Sequence, residues 1–193
     1  GIGRRQRQMC IRDSSNIEFK VPPDDNLRRY CCNDCNSIFY SNPNIVVGSL
    51  CTFEDKILLC KRNIQPRLGM WTLPAGFFEN SETLKDGAIR ETFEETGADI
   101  KNLQPYSLFS LTHISQVHFF YLADLVEPNY GPTAESSEVE LFTEEDIPWD
   151  EIAFPTVYKT LKYFLEDRKK GNFPFREEAV SYTHLTLPTT YTV

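Results

Sequence analysis

The chain has 193 residues, with 20 Lys+Arg against 28 Asp+Glu for a formal net charge of −8, and 40% of its residues are apolar. This length favours one domain with at most a small appendage, and no apolar run approaches the ~18–20 residues of a membrane span. A general polyanion binder is excluded as well, because it needs a basic face. The expected partner is a small molecule, with neither nucleic acid nor membrane involved, and any phosphate on it needs positive charge from a source other than the net charge.

Residues 1–14 carry four Arg and one Asp without hydrophobic periodicity, and residues 180–193 contain no Asp, Glu, Lys or Arg. Both resemble adapter-derived sequence and are set apart from fold reasoning. Residues 15–43 include YCCNDCNSIFYSN, in which Cys32 and Cys35 have the C-x2-C spacing of a zinc knuckle. The upstream thiol is Cys10, with Asp13 where a second Cys of that pair would fall, so the segment reads as a partial zinc ribbon with Zn²⁺ on Cys32, Cys35 and Cys10, or else as plain reduced thiols. Cys51 and Cys60 lie in apolar runs and read as small core residues. Six cysteines without a secretory signal fit a reducing, cytoplasmic or organellar compartment.

From residue 44 to 179 the pattern becomes that of a single larger domain. Short apolar runs at 45–53, 56–62, 107–112, 117–125 and 138–142 predict strands. Helical spacing predicts a helix over Glu82–Thr96, with Ser81 as N-cap and Gly97 as the stop, and a second over Thr156–Arg168 with the stripe Val157, Leu161, Phe164 and Leu165. The predicted fold class is α/β (α+β), an α/β/α sandwich in which two helices flank a mixed sheet.

The chemistry concentrates in GFFENSETLKDGAIRETFEETGA, residues 76–98. At about 100° per residue, Glu91, Glu94 and Glu95 fall within an arc of about 100° at the end of the first helix. Three like charges at the negative end of a helix dipole destabilise it unless cations neutralise them. Clustered carboxylate oxygens suit Mg²⁺ or Mn²⁺, which also bind phosphate oxygens. Arg90 is placed to pair with Glu94 at i,i+4. A solvated acidic face is the ordinary alternative. Seven fixed identities, Gly76, Glu82, Arg90, Glu91, Glu94, Glu95 and Gly97, coincide by chance at only about 10⁻⁸ per starting position.

That spacing resembles the Nudix box, the signature of hydrolases acting on a nucleoside diphosphate linked to another group. Thr92 occupies a slot that is commonly aliphatic. Further segments, including YSNPNIVVGSL, LLCKRNIQPRLGMWTLPAG, ESSEVELF and LKYFLEDRKKG, are similar to the ADP-ribose/FAD pyrophosphatase branch that carries an N-terminal zinc ribbon. The resemblance implies metal-dependent hydrolysis of ADP-ribose or FAD to release AMP, and a homodimer. It implies Mg²⁺ ligands at Gly76 (carbonyl), Glu91, Glu94 and Glu95, with Glu94 also positioning water and Glu82 a supporting acid at the helix start.

Arg90 joins Glu94 in the expected catalytic group. A general base is sought among the loop acids Glu135 and Glu138, with Glu138 preferred. Lys61, Arg62 and Arg67 form a basic group suited to a diphosphate, and Trp71 stands beside them as a substrate contact or a buried wall. Glu82 is grouped with Arg62, Arg67 and Trp71 on the substrate side. His113 and His118 stand in strand-like runs and read as structural. Two further readings are a Nudix module that senses a nucleotide without hydrolysing it and a pyrophosphatase for NADH or other dinucleotides. A zinc-ribbon nucleic-acid binder would require a basic face and four metal ligands.

Overall fold

The computed structural model describes residues 16–180, in two units divided between Asn42 and Pro43. Cys10, Asp13 and most of the two terminal segments lie outside the described residues.

The smaller unit is a three-stranded antiparallel sheet of β1 (Ile17–Lys20), β2 (Arg29–Cys32) and β3 (Ile38–Phe39). Its strands are too short to be visible as runs in the sequence. Asp25 shapes the loop between the first two by accepting N–H bonds from Asn26 (2.7 Å) and Leu27 (3.0 Å), a side-chain mimic of a backbone turn. Cys32 is buried at the end of β2, whereas Cys35 is exposed in the following turn.

The larger unit is built on an eight-stranded mixed sheet. Its strands are β4 (Asn44–Phe53), β5 (Lys56–Arg62), β6 (Trp71–Thr72), β7 (Ala75–Phe77), β8 (Ile100–Leu111), β9 (Gln116–Leu125), β10 (Ser136–Phe142) and β11 (Arg176–Ala179). The path is β10-β5-β4-β9-β8-β11, with β6 on β5 and β7 on β4. β4–β9 and β8–β11 are parallel, and the other pairs are antiparallel. β4 and β5 pair only at their hairpin end, Thr52↔Ile57 and Phe53↔Lys56. Beyond it the two strands take β7 and β6 as partners, and the linking loop Leu73–Pro74 enters the centre of the sheet.

Helix α1 spans Leu84–Thr96 and α2 spans Pro155–Lys170. Strand alternation assigns their faces. Val47, Cys51, Leu58, Cys60, Tyr121 and Ala123 lie in the clusters on the α1 side, and Leu50, Ile57, Leu59 and Phe120 join Val157, Leu161, Phe164 and Leu165 of α2. Each fully buried Leu or Phe contributes about 1.5–3 kcal/mol relative to exposure. The expected sandwich of a mixed sheet and two helices is what forms, and Cys51 and Cys60 are core residues, each 0% exposed.

Several boundaries differ from expectation. Thr83, not Ser81, caps α1, in a reciprocal capping box with Asp86. β8 begins at Ile100 rather than near Ser107. Register shifts between Lys101 and Gln104 and between Pro105 and Ser107 admit a proline inside the strand and hide its periodicity. His113 lies exposed in the turn after β8, not in a strand. His118 does lie in a strand, largely buried between Thr156 Oγ1 (3.0 Å) and Gln116 Oε1 (3.1 Å).

β11, unforeseen from the sequence, is secured by ions. Arg176 donates two bonds to buried Asp167 of α2, at 2.5 and 2.6 Å, and the Tyr106 hydroxyl donates a third at 2.7 Å. Among the described residues no helix is long and apolar enough to cross a membrane.

Candidate active site

Two glycines allow the elements of the site to approach one another. A Cβ on Gly48 of β4 would lie 2.4 Å from Ala75 Cβ and 2.5 Å from the Pro74 carbonyl oxygen, so only glycine lets the 74–76 loop cross the sheet there. A Cβ on Gly76 would lie 2.2 Å from Glu91 Oε2 and 2.5 Å from Oε1. The bare backbone of Gly76 and the Glu91 carboxylate therefore share one oxygen-lined recess.

The three helix carboxylates occupy different environments. Glu91 and Glu95 are buried, 8% and 5% exposed, while Glu94 is open to solvent. Glu95 Oε2 accepts the Ala75 N–H at 3.0 Å and lies 3.6 Å from the Cys60 thiol. Burial pushes the Glu95 carboxyl up to about 7, against the Ala75 hydrogen bond. Burial also raises Glu91, opposed by the Arg90 guanidinium. Burial of the Cys60 thiol raises its pKa strongly, so it stays protonated beside Glu95. Two buried acids with elevated proton affinity mark a site awaiting positive charge.

Arg90 organises the front of this site. Its Nε and Nη2 grip Glu82 at 3.0 and 2.8 Å, Nη1 reaches Glu91 (2.7 Å) and Glu94 (2.9 Å), and Nη2 also reaches the Phe77 carbonyl at 3.1 Å. All five guanidinium donors are committed, which leaves none for a substrate. Arg90, grouped with the catalytic residues from the sequence, acts here as the clamp that joins β7, the helix start and the helix end. Its grip, with the Glu79 N–H at 2.8 Å, holds the Glu82 carboxyl down at about 2. Glu82 is thus engaged within the protein, by Arg90 and the Glu79 N–H.

The remaining expected residues are dispersed. Lys61 pairs with Glu138 at 2.9 Å, a contact fixed by their opposition across β5–β10. Arg62 donates to the Pro66 carbonyl at 2.8 Å and lies over the Phe154 ring, and its charge reaches Glu95. Arg67 is exposed in the loop before β6 with φ 65°. Lys61, Arg62 and Arg67 thus have separate attachments instead of forming one basic cluster. Trp71, 5% exposed, belongs to the core and packs edge-on against Phe142. Thr92 is fully buried, its hydroxyl satisfied by the Ala88 carbonyl at 2.8 Å, so it does serve as a packing residue.

Of the two expected loop acids, Glu138 lies within β10, where Lys61 holds it, whereas Glu135 stands in the loop before that strand and its charge raises the proton affinity of Glu91. The sequence reading missed Thr133, whose hydroxyl ties the Glu135 loop to α1: it donates to the Glu95 carbonyl at 3.3 Å and accepts the Glu135 and Ser136 N–H groups, each at 3.2 Å. Its signal was the T-x-E-S order before β10.

The donors that converge, Glu91, Glu95, the nearby Glu94 and the Gly76 backbone, are all oxygens, the donor set a hard divalent cation takes. Among the described residues no group of three His, Cys, Asp or Glu side chains is already gathered as a metal cage, since Arg90 stands between Glu91 and Glu94. In the smaller unit Cys32 is buried and Cys35 exposed, and among the described residues no third side chain of ligand type gathers with them, where a tetrahedral zinc takes four.

The fold is that of an α/β protein, a mixed sheet with a helix on each face, in which the end of α1 sets two buried acids beside the Ala75–Gly76 backbone. The NUDIX domain family model matches residues 42–184, and the zinc-ribbon family described as Nudix N-terminal matches residues 14–41. The chain belongs to the Nudix family. Among solved structures, a Nudix hydrolase from Nitrosomonas europaea is 43% identical with a TM-score of 0.84, over 89% of this chain and 97% of that one. Among curated proteins, the NAD-capped RNA hydrolase NudC of Vibrio parahaemolyticus is 32% identical over 120 residues, 61% of this chain and 45% of that protein. The ADP-ribose pyrophosphatase of Methanocaldococcus jannaschii is 29% identical over 115 residues, 56% of this chain and 67% of that protein. The match thus spans less than half the length of the NudC relative.

Proposed function

We propose that this protein hydrolyses the pyrophosphate bond of a nucleoside diphosphate linked to a second group, with Mg²⁺ or Mn²⁺ bound at Glu91, Glu94, Glu95 and the Gly76 carbonyl. The observation that carries the reading is the burial of Glu91 and Glu95 against the Ala75–Gly76 backbone, where one of the two has its carboxyl raised to about 7. Such a pair is costly for the fold: Arg90 pairs with Glu91, whereas Glu95 meets the Ala75 N–H and the Cys60 thiol. These oxygens would hold a divalent cation, which when bound would supply positive charge for the diphosphate and lower the pKa of water.

The chain's own residues supply the rest. Arg90 fixes Glu91 and Glu94 in place through Nη1, and Glu82 in turn fixes Arg90. Cys60 and the Ala75 N–H hold Glu95 Oε2 in one orientation. Glu135, rather than the Lys61-bound Glu138, accepts the proton of the attacking water, because the Thr133 hydroxyl ties its loop to the Glu95 carbonyl at the end of α1. Arg62, whose charge bears on Glu95, is the cation we assign to the substrate's phosphates.

ADP-ribose is the first substrate proposed, supported by the name of the archaeal relative, and FAD the second. The NudC relatives support a nicotinamide dinucleotide as an alternative. The test is incubation of the protein with ADP-ribose, FAD and NADH in Mg²⁺, Mn²⁺ or EDTA, with products separated by chromatography. Release of AMP only with the cation is expected. Tight nucleotide binding with no product in either metal would overturn the assignment and leave a sensor.

A further inference from the structure

The loop before β10 ends where α1 leaves carbonyls without helical partners. A helix end exposes its last carbonyl oxygens, and Gly97, in the left-handed region at φ 69°, returns its N–H only to the Phe93 carbonyl. Two of the carbonyls beyond it, those of Glu95 and Thr96, are taken by the loop. The Gly131 N–H donates to the Thr96 carbonyl at 2.9 Å, and the Thr133 hydroxyl donates to the Glu95 carbonyl at 3.3 Å. The same Thr133 oxygen accepts the N–H groups of Glu135 and Ser136, at 3.2 Å each, and the Thr133 N–H closes the turn on the Ser136 carbonyl at 2.9 Å. One donor and two acceptor positions are all that a hydroxyl has, and Thr133 uses the three. From the other side, the Asn63 N–H donates to the Glu135 carbonyl at 2.8 Å and its side-chain amide to the Ala134 carbonyl at 3.2 Å. Ser136, buried at the loop's end, pairs opposite Arg62 of β5, the strand that carries the Cys60 thiol lying on Glu95.

We propose that Thr133 is a positioning residue that keys the loop bearing Glu135 to the last turn of α1, so that Glu135 and the Glu91–Glu95 pair face one reaction volume. This rests on the hydrolase reading above. Glu135 itself is an exposed side chain two residues from the key, and its carboxylate can meet the water only if the loop backbone is registered to the helix that carries Glu91 and Glu95. Displacement by about 1 Å is enough to cost on the order of a hundredfold in rate. Thr133 touches no reacting atom. It acts through Glu135.

The test compares kcat and KM for ADP-ribose hydrolysis in the wild type, Thr133→Val, Thr133→Ser, Glu135→Gln and the double variant Thr133→Val/Glu135→Gln, with thermal melts to verify folding and Thr133→Ala in reserve if the valine variant unfolds. Thr133→Val keeps the shape and removes the three bonds. A fall in kcat of about ten- to a hundredfold with KM little changed is expected, together with recovery in Thr133→Ser. In the Glu135→Gln background Thr133→Val is expected to cost nothing more. Wild-type kcat in folded Thr133→Val, absence of rescue by serine, or multiplicative losses in the double variant would each overturn the inference while leaving the hydrolase reading intact. A wild type that releases no AMP from any nucleotide with either cation sinks both.

Discussion

Gly76→Ala tests the geometry of the site most directly. The added Cβ would lie 2.2 Å from Glu91 Oε2, where ordinary contact begins at 3.4 Å, so the carboxylate must retreat by about 1.2 Å. Glu91 Oε1 is pinned by Arg90 Nη1 at 2.7 Å, and the retreat breaks that bond. Because the displaced atoms are the tip of a flexible side chain, the fold loses only about 1 kcal/mol, at the low end for overpacking. For a chain of this size that lowers Tm by about 2–4 °C. The functional loss is expected to be far larger, about a hundredfold in turnover and a clear weakening of Mn²⁺ affinity, since both donors of the recess move apart. Thermal melts, calorimetric cation titration and steady-state kinetics on the same preparation separate the two effects. Wild-type cation affinity and turnover in Gly76→Ala would refute the claim that the Gly76 backbone and Glu91 share a cation.

Glu95→Gln is expected to abolish most turnover while leaving the fold intact. The raised carboxyl of Glu95 makes a second outcome testable by denaturant titration: in EDTA the wild type loses about 3 kcal/mol as pH rises from the unfolded value of 4.5 through about 7, because the folded state holds its proton more tightly, and the Gln variant does not. His118 works in the opposite sense. Burial lowers its pKa to about 4, so its stability contribution is complete above about 6.5 and is lost as pH falls toward 4, about 3 kcal/mol in all; His118→Gln should flatten that limb in pH-dependent melts. Asp167→Asn removes the charge that the half-buried Arg176 guanidinium and the Tyr106 hydroxyl both bond, and a loss of about 1–3 kcal/mol in urea unfolding is expected, with cation affinity unchanged.

Periodicity and residue chemistry alone carry much of this molecule. The spacing of Gly76, Glu82, Arg90, Glu91, Glu94, Glu95 and Gly97 brings acids to one helix end through the helical repeat, a local rule. The stripe Val157, Leu161, Phe164 and Leu165 marks α2 for the same reason, and each of the four is buried. The apolar runs of β4, β5 and β9 were visible because a sheet covered by a helix on each face buries consecutive residues.

What remained hidden depends on partners distant in the chain. β11 exists by virtue of pairing with β8 and the Asp167–Arg176 ions, neither visible within four residues of sequence. That Glu91 and Glu95 are buried while Glu94 is open follows from where the 74–76 loop crosses, and that crossing from the splitting of β4 and β5. Lys61, Arg62 and Arg67 are neighbours along the chain, yet strand alternation and the loop send them to Glu138, Pro66 and solvent. Thr133 is a common polar residue until the end of α1 is set beside it. A local repeat determines which groups share a face; only long-range packing decides which of them lose water, and desolvation is what separates a reactive carboxylate from a surface charge.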